Sequence, residues 1–264
     1  MTKKLGGIEM KKFCSVVVLT VLAVLFAAGA SLFASTTDDR IKSSAEKSYV
    51  FKTYLNGDDI RIDSKKGVVT LTGTVTQEFH KSLANDTVSG LPGVKRVENK
   101  LEYKGASTDV ISDTWLGLKI KTLLTFHSSV RDGRTEVYVK DSIVTLKGIT
   151  NTQAQKELIE EYAKDVEGVK DVKNEMKVLR AEKDEKINLG KSIDDASVTA
   201  QAKMTLAFHR STSKLDAKVS TDKGVVTLSG IAKNQAEKDK AAKLVNDIDG
   251  VKSVVNMITI EKIK

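Results

Sequence analysis

Apolar and polar positions along this chain run through the same short programme three times. Each round opens on a helical pattern. In the middle round Leu116, Ile120, Leu123 and Leu124 fall at spacing 0, 4, 7, 8, one face of a helix, and the third round offers Val198, Ala202 and Leu206. Two strands follow, the first around Ile60–Ile62, Val137–Val139 and Val219. In the second, Val69, Leu71 and Val75 alternate with Thr70, Thr72 and Thr74, so one face is apolar and the other wet. A second helix repeats apolar positions at 0, 3, 4, 7: Ala84, Thr87, Val88 and Leu91; Ile159, Tyr162, Ala163 and Val166; Ala241, Leu244, Val245 and Ile248. A last strand carries Val97, Asn99 and Leu101 on one parity.

The repetition is literal as well as periodic. G-V-V-T-L-T-G-T-V at 67–75 returns as S-I-V-T-L-K-G-I-T at 142–150 and as G-V-V-T-L-S-G-I-A at 224–232, and each is followed at an offset of 26 by G-V-K. Asp38, Asp113 and Asp195 each lie 29 residues before the strand motif, where they are expected to cap the first helix, and Phe51, Phe126 and Phe208 coincide. The units therefore span 35–104, 110–180 and 192–262, joined by polar segments that read as solvated linkers. The fold class is α+β: three tandem αββαβ modules, each two helices packed on one face of a three-stranded sheet, about 70 residues apiece and within the range that folds alone.

Several positions recur for structural reasons. Gly93, Gly168 and Gly250 stand where a left-handed helix cap must turn into the last strand. Gly73, Gly148 and Gly230 fall on the inward parity of the second strand, where a missing Cβ would let a helix approach the sheet. Gly67 and Gly224 open the strand motif. Asn99, Asn174 and Asn256 place an amide among apolar neighbours; it must be hydrogen-bonded, either tying the last strand to a turn or meeting a ligand.

Residues 1–34 differ from everything after them. Lys11 and Lys12 precede an uncharged run from Phe13 to Ala34, which reads as an export signal with an A-x-A cleavage site at Ala28 and Ala30. The alternative is an uncleaved inner-membrane anchor over 13–34, since 22 such residues reach the ~20 needed to span a bilayer. The expected location is the periplasm. The only cysteine, Cys14, lies in this segment, so a cleaved chain has no disulfide, thiol nucleophile or thiolate metal site. Removing the segment takes away four Lys and one Glu and leaves 39 basic against 34 acidic residues, a net +5 with no long basic run, which points away from nucleic acid.

The strand motif followed by a helix and G-V-K-x-V-x-N-x-L resembles the BON domain, in all three copies. That resemblance implies an αββαβ fold, a likeness to exported, osmotically inducible periplasmic proteins, and binding of an anionic phospholipid surface or an envelope polymer. Some relatives look like chaperones for outer-membrane proteins, which makes unfolded clients the alternative partner. It brings no catalytic residues and no cofactor.

Candidate chemistry in the residues is correspondingly thin. His80, His127 and His209 form no H-E-x-x-H and no close pair in sequence, so no metal motif exists, and they read as solvated or helix-end side chains; His127 and His209 match each other, but the first copy has Lys52 there. Paired carboxylates fall at helix starts or on polar faces, and no G-x-S-x-G or P-loop occurs, so no enzyme is expected. Trp115, the only tryptophan, sits off the common core face beside Lys119 and Lys121. The three form a candidate membrane or partner contact, with packing against the preceding linker as the other reading. Three linked modules would raise the avidity of weak single sites.

Overall fold

The computed structural model describes residues 36–104, 113–130, 134–179 and 193–261. The segment expected to direct export, both linkers, residues 131–133 and the chain beyond 261 lie outside the described residues. No helix among those described is long and apolar enough to cross a membrane.

Module 1 comprises helix α1 (36–47), a short helix α2 (Tyr49–Thr53), strands β1 (Asp59–Lys65) and β2 (Val68–Val75), helix α3 (Glu78–Ser89) and strand β3 (Arg96–Tyr103). Module 2 has α4 (Asp113–Phe126), β4 (Thr135–Lys140), β5 (Ile143–Thr150) and α5 (Gln153–Lys164), with its last strand split into β6 (Asp171–Asn174) and β7 (Lys177–Val178). Module 3 has α6 (Asp195–Phe208), β8 (Asp216–Asp222), β9 (Val225–Ala232), α7 (Gln235–Asn246) and β10 (Ser253–Ile260). In each sheet the motif strand is central, antiparallel to the strand before it and parallel to the strand after α3, α5 or α7. The modules thus share the αββαβ order and form an α+β fold.

The periodicities land where packing needs them. All twelve apolar-stripe positions of the second helices are buried, as are Val69, Leu71 and Val75 on the inner face of β2. Each first hairpin turns through two consecutive left-handed residues, Lys66-Gly67, Asp141-Ser142 and Lys223-Gly224, the geometry of a type I′ turn. Its exposed amides find an acceptor in the preceding helix. Asp38 accepts from the backbone of Lys66 and Gly67 at 2.7 and 2.9 Å, Asp113 from Asp141 and Ser142, and Asp195 from Lys223 and Gly224. These aspartates clamp the hairpin and are not caps of their own helix; α6 is capped by its neighbour Asp194, which accepts from Ser197 N.

The motif glycines also serve a different neighbour from the one expected. Gly73, Gly148 and Gly230 adopt φ of +113°, +118° and +139°, and a Cβ there would lie 2.0, 1.9 and 2.1 Å from the carbonyl oxygens of Asp59, Arg134 and Asp216. The close approach is between two strands of one sheet, not between helix and sheet. Gly93, Gly168 and Gly250 are left-handed at +92°, +101° and +88°. The recurrent asparagines bridge strand to helix, not strand to turn: Asn99, Asn174 and Asn256 donate Nδ2 to the carbonyls of Lys81, Lys156 and Lys238 in the second helix, at 2.7, 2.9 and 3.0 Å. Their Oδ1 atoms accept the backbone N–H two residues on, at Leu101, Met176 and Ile258.

The modules are not separate beads. Helix α6 buries ten of its residues, from Ala196 round to Leu206, because it packs on its own sheet and on α3 and α4 as well. One continuous apolar cluster runs through modules 1 and 2 and takes in Ala196, Ala200, Met204 and Leu244 of module 3.

Candidate functional site

Two seams meet where α6 lies. Against module 1, Gly90 at the end of α3 touches Ala196, Lys203 reaches Asp86 at 3.2 Å, and the backbone N–H groups of Tyr49 and Val50 donate to Asp194 Oδ2 and Ser197 Oγ. Where all three modules meet, Phe79 of α3, Trp115 of α4 and Phe208 of α6 form an aromatic cluster with ring centres 5.6 to 5.9 Å apart. Trp115 is therefore half-buried between modules; the preceding linker lies outside the described residues. Lys119 Nζ lies over Trp115 and Phe208 at 5.3 and 5.4 Å, a cation–π arrangement. Burial lowers the Lys119 pKa, an effect that Glu167 partly offsets. Lys121 alone of the three points to solvent.

The seam between modules 2 and 3 has approximate two-fold symmetry, because equivalent residues exchange equivalent contacts. Short antiparallel bridges join His127 to Ile248 and Val166 to His209. Asp249 N donates to Phe126 O and Glu167 N to Phe208 O, each at 3.0 Å. At its centre, Asp165 Oδ2 lies 3.1 Å from His209 Nδ1 and Asp247 Oδ2 lies 3.3 Å from His127 Nδ1, the second contact falling short of full hydrogen-bond geometry. Ser211 and Ser129 hold these carboxylates through their hydroxyls and backbone N–H groups. The symmetry breaks at Tyr162, which stacks on His127 and donates its hydroxyl to Asp247 at 2.6 Å, while Leu244 is its counterpart.

Sequence reasoning read these histidines as solvated or helix-end side chains; both do stand at helix ends, directly after Phe126 of α4 and Phe208 of α6, but they are 0% exposed rather than solvated. Burial pulls the His209 pKa down, against the partial support of Asp165. Asp247 is pushed up by burial, but His127, Ser129 and Tyr162 more than reverse this and hold it at about 2; Asp165 is likewise lowered by His209 and Ser211 in spite of burial. The burial raises the Tyr162 pKa, and its bond to Asp247 raises it further. The signal was readable within the chain. Copies two and three share His, Ser and Asp at 127/209, 129/211 and 165/247, whereas copy one has Lys52, Tyr54 and Gly90, so the set is present or absent together. His80 belongs to a separate local lock, with Nδ1 2.6 Å from Asp58, whose other oxygen accepts from Thr76.

Among the described residues no group of three or more His, Cys, Asp or Glu is placed to hold a metal ion. Clefts beside the module 2–3 seam are lined mainly by charged and polar side chains, among them Glu157, Glu161, Lys164 and Lys240, or Arg210, Lys214 and Lys233, which suits solvent better than an apolar small molecule.

Exposed large apolar side chains occur in module 2, at Tyr138, Val178 and Leu179, and in module 3, at Ile231, Val255, Met257 and Ile260. The outward positions of the edge strand read Arg96, Glu98, Lys100, Glu102 in module 1 and Asp171, Lys173, Glu175, Lys177 in module 2, all charged. In module 3 the same positions are Ser253, Val255, Met257 and Thr259. Met257 is 61% exposed and Val255 45%, and Ile231, 60% exposed, faces Thr259 across the ladder.

The family model for the BON domain matches residues 37–105, 112–180 and 194–262. This chain belongs to the BON domain family. With three BON modules, it is 29% identical over 185 residues to osmotically-inducible protein Y of Escherichia coli (strain K12), covering 70% of this chain and 87% of that protein. It is also 29% identical over 128 residues to an uncharacterized protein from the gshII 5' region of Anaplasma centrale, covering 48% of this chain and 82% of that one. Among solved structures, CdsD, a structural protein of the type III secretion system of Chlamydia trachomatis, aligns at 17% identity with a TM-score of 0.25, over 84% of this chain and 92% of that one. That score is too low to indicate a shared arrangement of the BON modules.

Proposed function

We propose that this protein is a non-enzymatic component of the bacterial envelope that holds extended, apolar polypeptide segments, using the outer strand of its third module as the contact. The observation that carries this reading is the loss of charge from β10. An edge strand offers unpaired backbone groups to any passing chain, and proteins ordinarily guard such edges with charged side chains. Modules 1 and 2 do so at every outward position, whereas module 3 presents Val255 and Met257 with Ile231 beside them. Main-chain pairing supplies affinity without sequence demands, and alternate apolar side chains supply the rest. The run from Phe13 to Ala34 supports export to the periplasm. The competing reading, binding of anionic phospholipid, comes from the family resemblance, with Trp115, Lys119 and Lys121 as candidate contacts; of these Trp115 and Lys119 are engaged between modules, and Lys121 is exposed.

The test sets the two readings against each other. The full mature chain is added to an unfolded outer-membrane β-barrel diluted from urea, with light scattering as readout, and in parallel is spun down with anionic vesicles. Suppression of scattering that is mostly lost in Val255→Lys/Met257→Lys supports the reading. Salt-sensitive co-sedimentation without suppression moves the function to the membrane surface.

A further inference from the structure

The two buried imidazoles of the module 2–3 seam face each other. His127 Nε2 and His209 Nε2 are 3.4 Å apart, and the ring centres 5.6 Å apart, a difference close to two ring radii. The nitrogens therefore point at one another nearly head-on. Each ring's other nitrogen looks at a carboxylate, Asp247 for His127 and Asp165 for His209. His209 Nδ1 is within hydrogen-bond distance of Asp165, and His127 Nδ1 faces Asp247 at 3.3 Å without completing a hydrogen bond; with each Nδ1–H turned to its carboxylate, the Nε2 atoms are two lone pairs confronting each other in a buried site. One proton between them resolves the conflict as N–H···N. A bridging zinc ion does not fit, since about 2.0–2.1 Å to each nitrogen needs about 4 Å between them and, among the described residues, no group of three or more ligating side chains surrounds the gap.

We propose that this pair is an acid-operated latch: the closed seam has room for one proton, and uptake of the second parts modules 2 and 3. Two imidazoliums set head-on would place two N–H groups and two like charges at 3.4 Å, where the charged form of one group suppresses that of the other. The groups facing the pair are Asp165 and Tyr162 at the end of α5, Asp247 at the end of α7, and Lys240, whose Nζ is 3.8 Å from Asp165 Oδ2 and 2.8 Å from Glu161. The two carboxylates balance one shared proton and Lys240; none of these groups accepts from a second N–H in the gap. Burial acts in the same direction at His209. A solvated imidazole ordinarily titrates near 6.5, so parting the seam allows the second protonation that the head-on geometry excludes. Below about pH 6.5 two solvated rings bind more than the one proton the closed pair holds, so closure weakens as the pH falls through that value. Phe126 and Phe208 immediately precede the two histidines, and Phe208 packs on Trp115, so opening is reported by the single tryptophan.

The full chain is followed by Trp115 emission, far-ultraviolet circular dichroism and small-angle scattering between pH 8 and pH 4.5. The expected result is a reversible emission change and a larger radius setting in below about pH 6.5, with the open population rising about tenfold per pH unit for each extra proton and with secondary structure intact. His127→Gln/His209→Gln should remain closed at pH 7 and lose the transition; His80→Gln, beside Phe79, should keep it. A wild-type signal that is flat to pH 4.5, or a transition that survives in the double variant, overturns the latch. If the double variant is already expanded at pH 7, the wild-type imidazole proton resonances decide. Two rings titrating smoothly near 6.5 while emission stays constant overturn the proposal; protonation that coincides with the emission step upholds it.

Discussion

At the scale of single residues, the chain spends its glycines on two unlike tasks. Gly148 sits in β5 at φ +118°, and a Cβ there would fall 1.9 Å from Arg134 O, a backbone atom that cannot move without breaking the hairpin. Gly117 lies in the middle of α4 with ordinary helical geometry, and its added Cβ would meet only Val139 Cγ2 at 3.4 Å. Substitution should therefore act in opposite directions. Gly148→Ala is expected to cost about 2–4 kcal/mol, combining strain at a disfavoured φ with a steric clash. Gly117→Ala is expected to be neutral or to stabilise by up to about 1 kcal/mol, because it removes backbone freedom from the unfolded chain. Urea denaturation of the two variants at neutral pH measures both signs. The recurrence of glycine at 73, 148 and 230 was visible in the sequence, but the atom it makes room for was not, since strand parity alone says which face a side chain takes and not that the partner strand's carbonyl occupies it. The aspartates at 38, 113 and 195 carry the same lesson: Asp113 and Asp195 do open α4 and α6, as the pattern predicts, yet the role assigned to them, capping the helix, was not the one they play, since the fixed spacing measures the reach to two left-handed amides.

At the scale of elements, amphipathic pattern decided which side of each helix faces its own sheet, and that part of the fold was readable throughout. The stripe on α7, Ala241, Leu244, Val245 and Ile248, is buried as its spacing requires. Helix α6 is the exception that shows the limit of the method. Besides Val198, Ala202 and Leu206, which face its own sheet, it buries Ala196, Ala200 and Met204, a second stripe with a spacing of four that serves neighbouring modules. A stripe of small residues is weakly hydrophobic and does not stand out in a pattern search, although it allows close helix contact. That contact is tight: a Cβ on Gly90 would lie 3.2 Å from both Cα and Cβ of Ala196. Ala196→Leu should overpack the α3–α6 contact at a cost of about 1–3 kcal/mol, most of it borne by the docking of module 1. Hydrogen exchange should locate the loss, with amides of α3 and the short α2 exchanging faster while those of β9 and α7 remain as protected as before. Equal loosening of all three modules would show that the cost is shared by the whole molecule and is not borne by the docking of module 1.

At the scale of the whole molecule, the repeats tempt one to add up three small domains, and the sequence offered no reason to do otherwise. Each unit has its own sheet and its own pair of helices, and polar linkers join them. What the repeats concealed is their divergence. The first copy lacks the histidine, serine and aspartate of the other two, and the third lacks the edge charges of the first two, so each module is shaped for its place in the chain. The consequence is thermodynamic. In an array of independent units, stability is local and each module melts on its own; when interfaces contribute a large share, neighbouring units melt together. Here an apolar cluster runs through modules 1 and 2 into α6, and the module 2–3 seam adds a buried imidazole pair with two carboxylates and a tyrosine. Calorimetry of the full chain at pH 7 should therefore give one cooperative transition whose calorimetric and van't Hoff enthalpies agree. Ala196→Leu should split off a lower transition carrying about a third of the enthalpy, as unfolding enthalpy scales with the number of residues. Three resolved transitions in the unmodified chain would mean that the interfaces contribute little and that the modules, though in contact, fold as strangers.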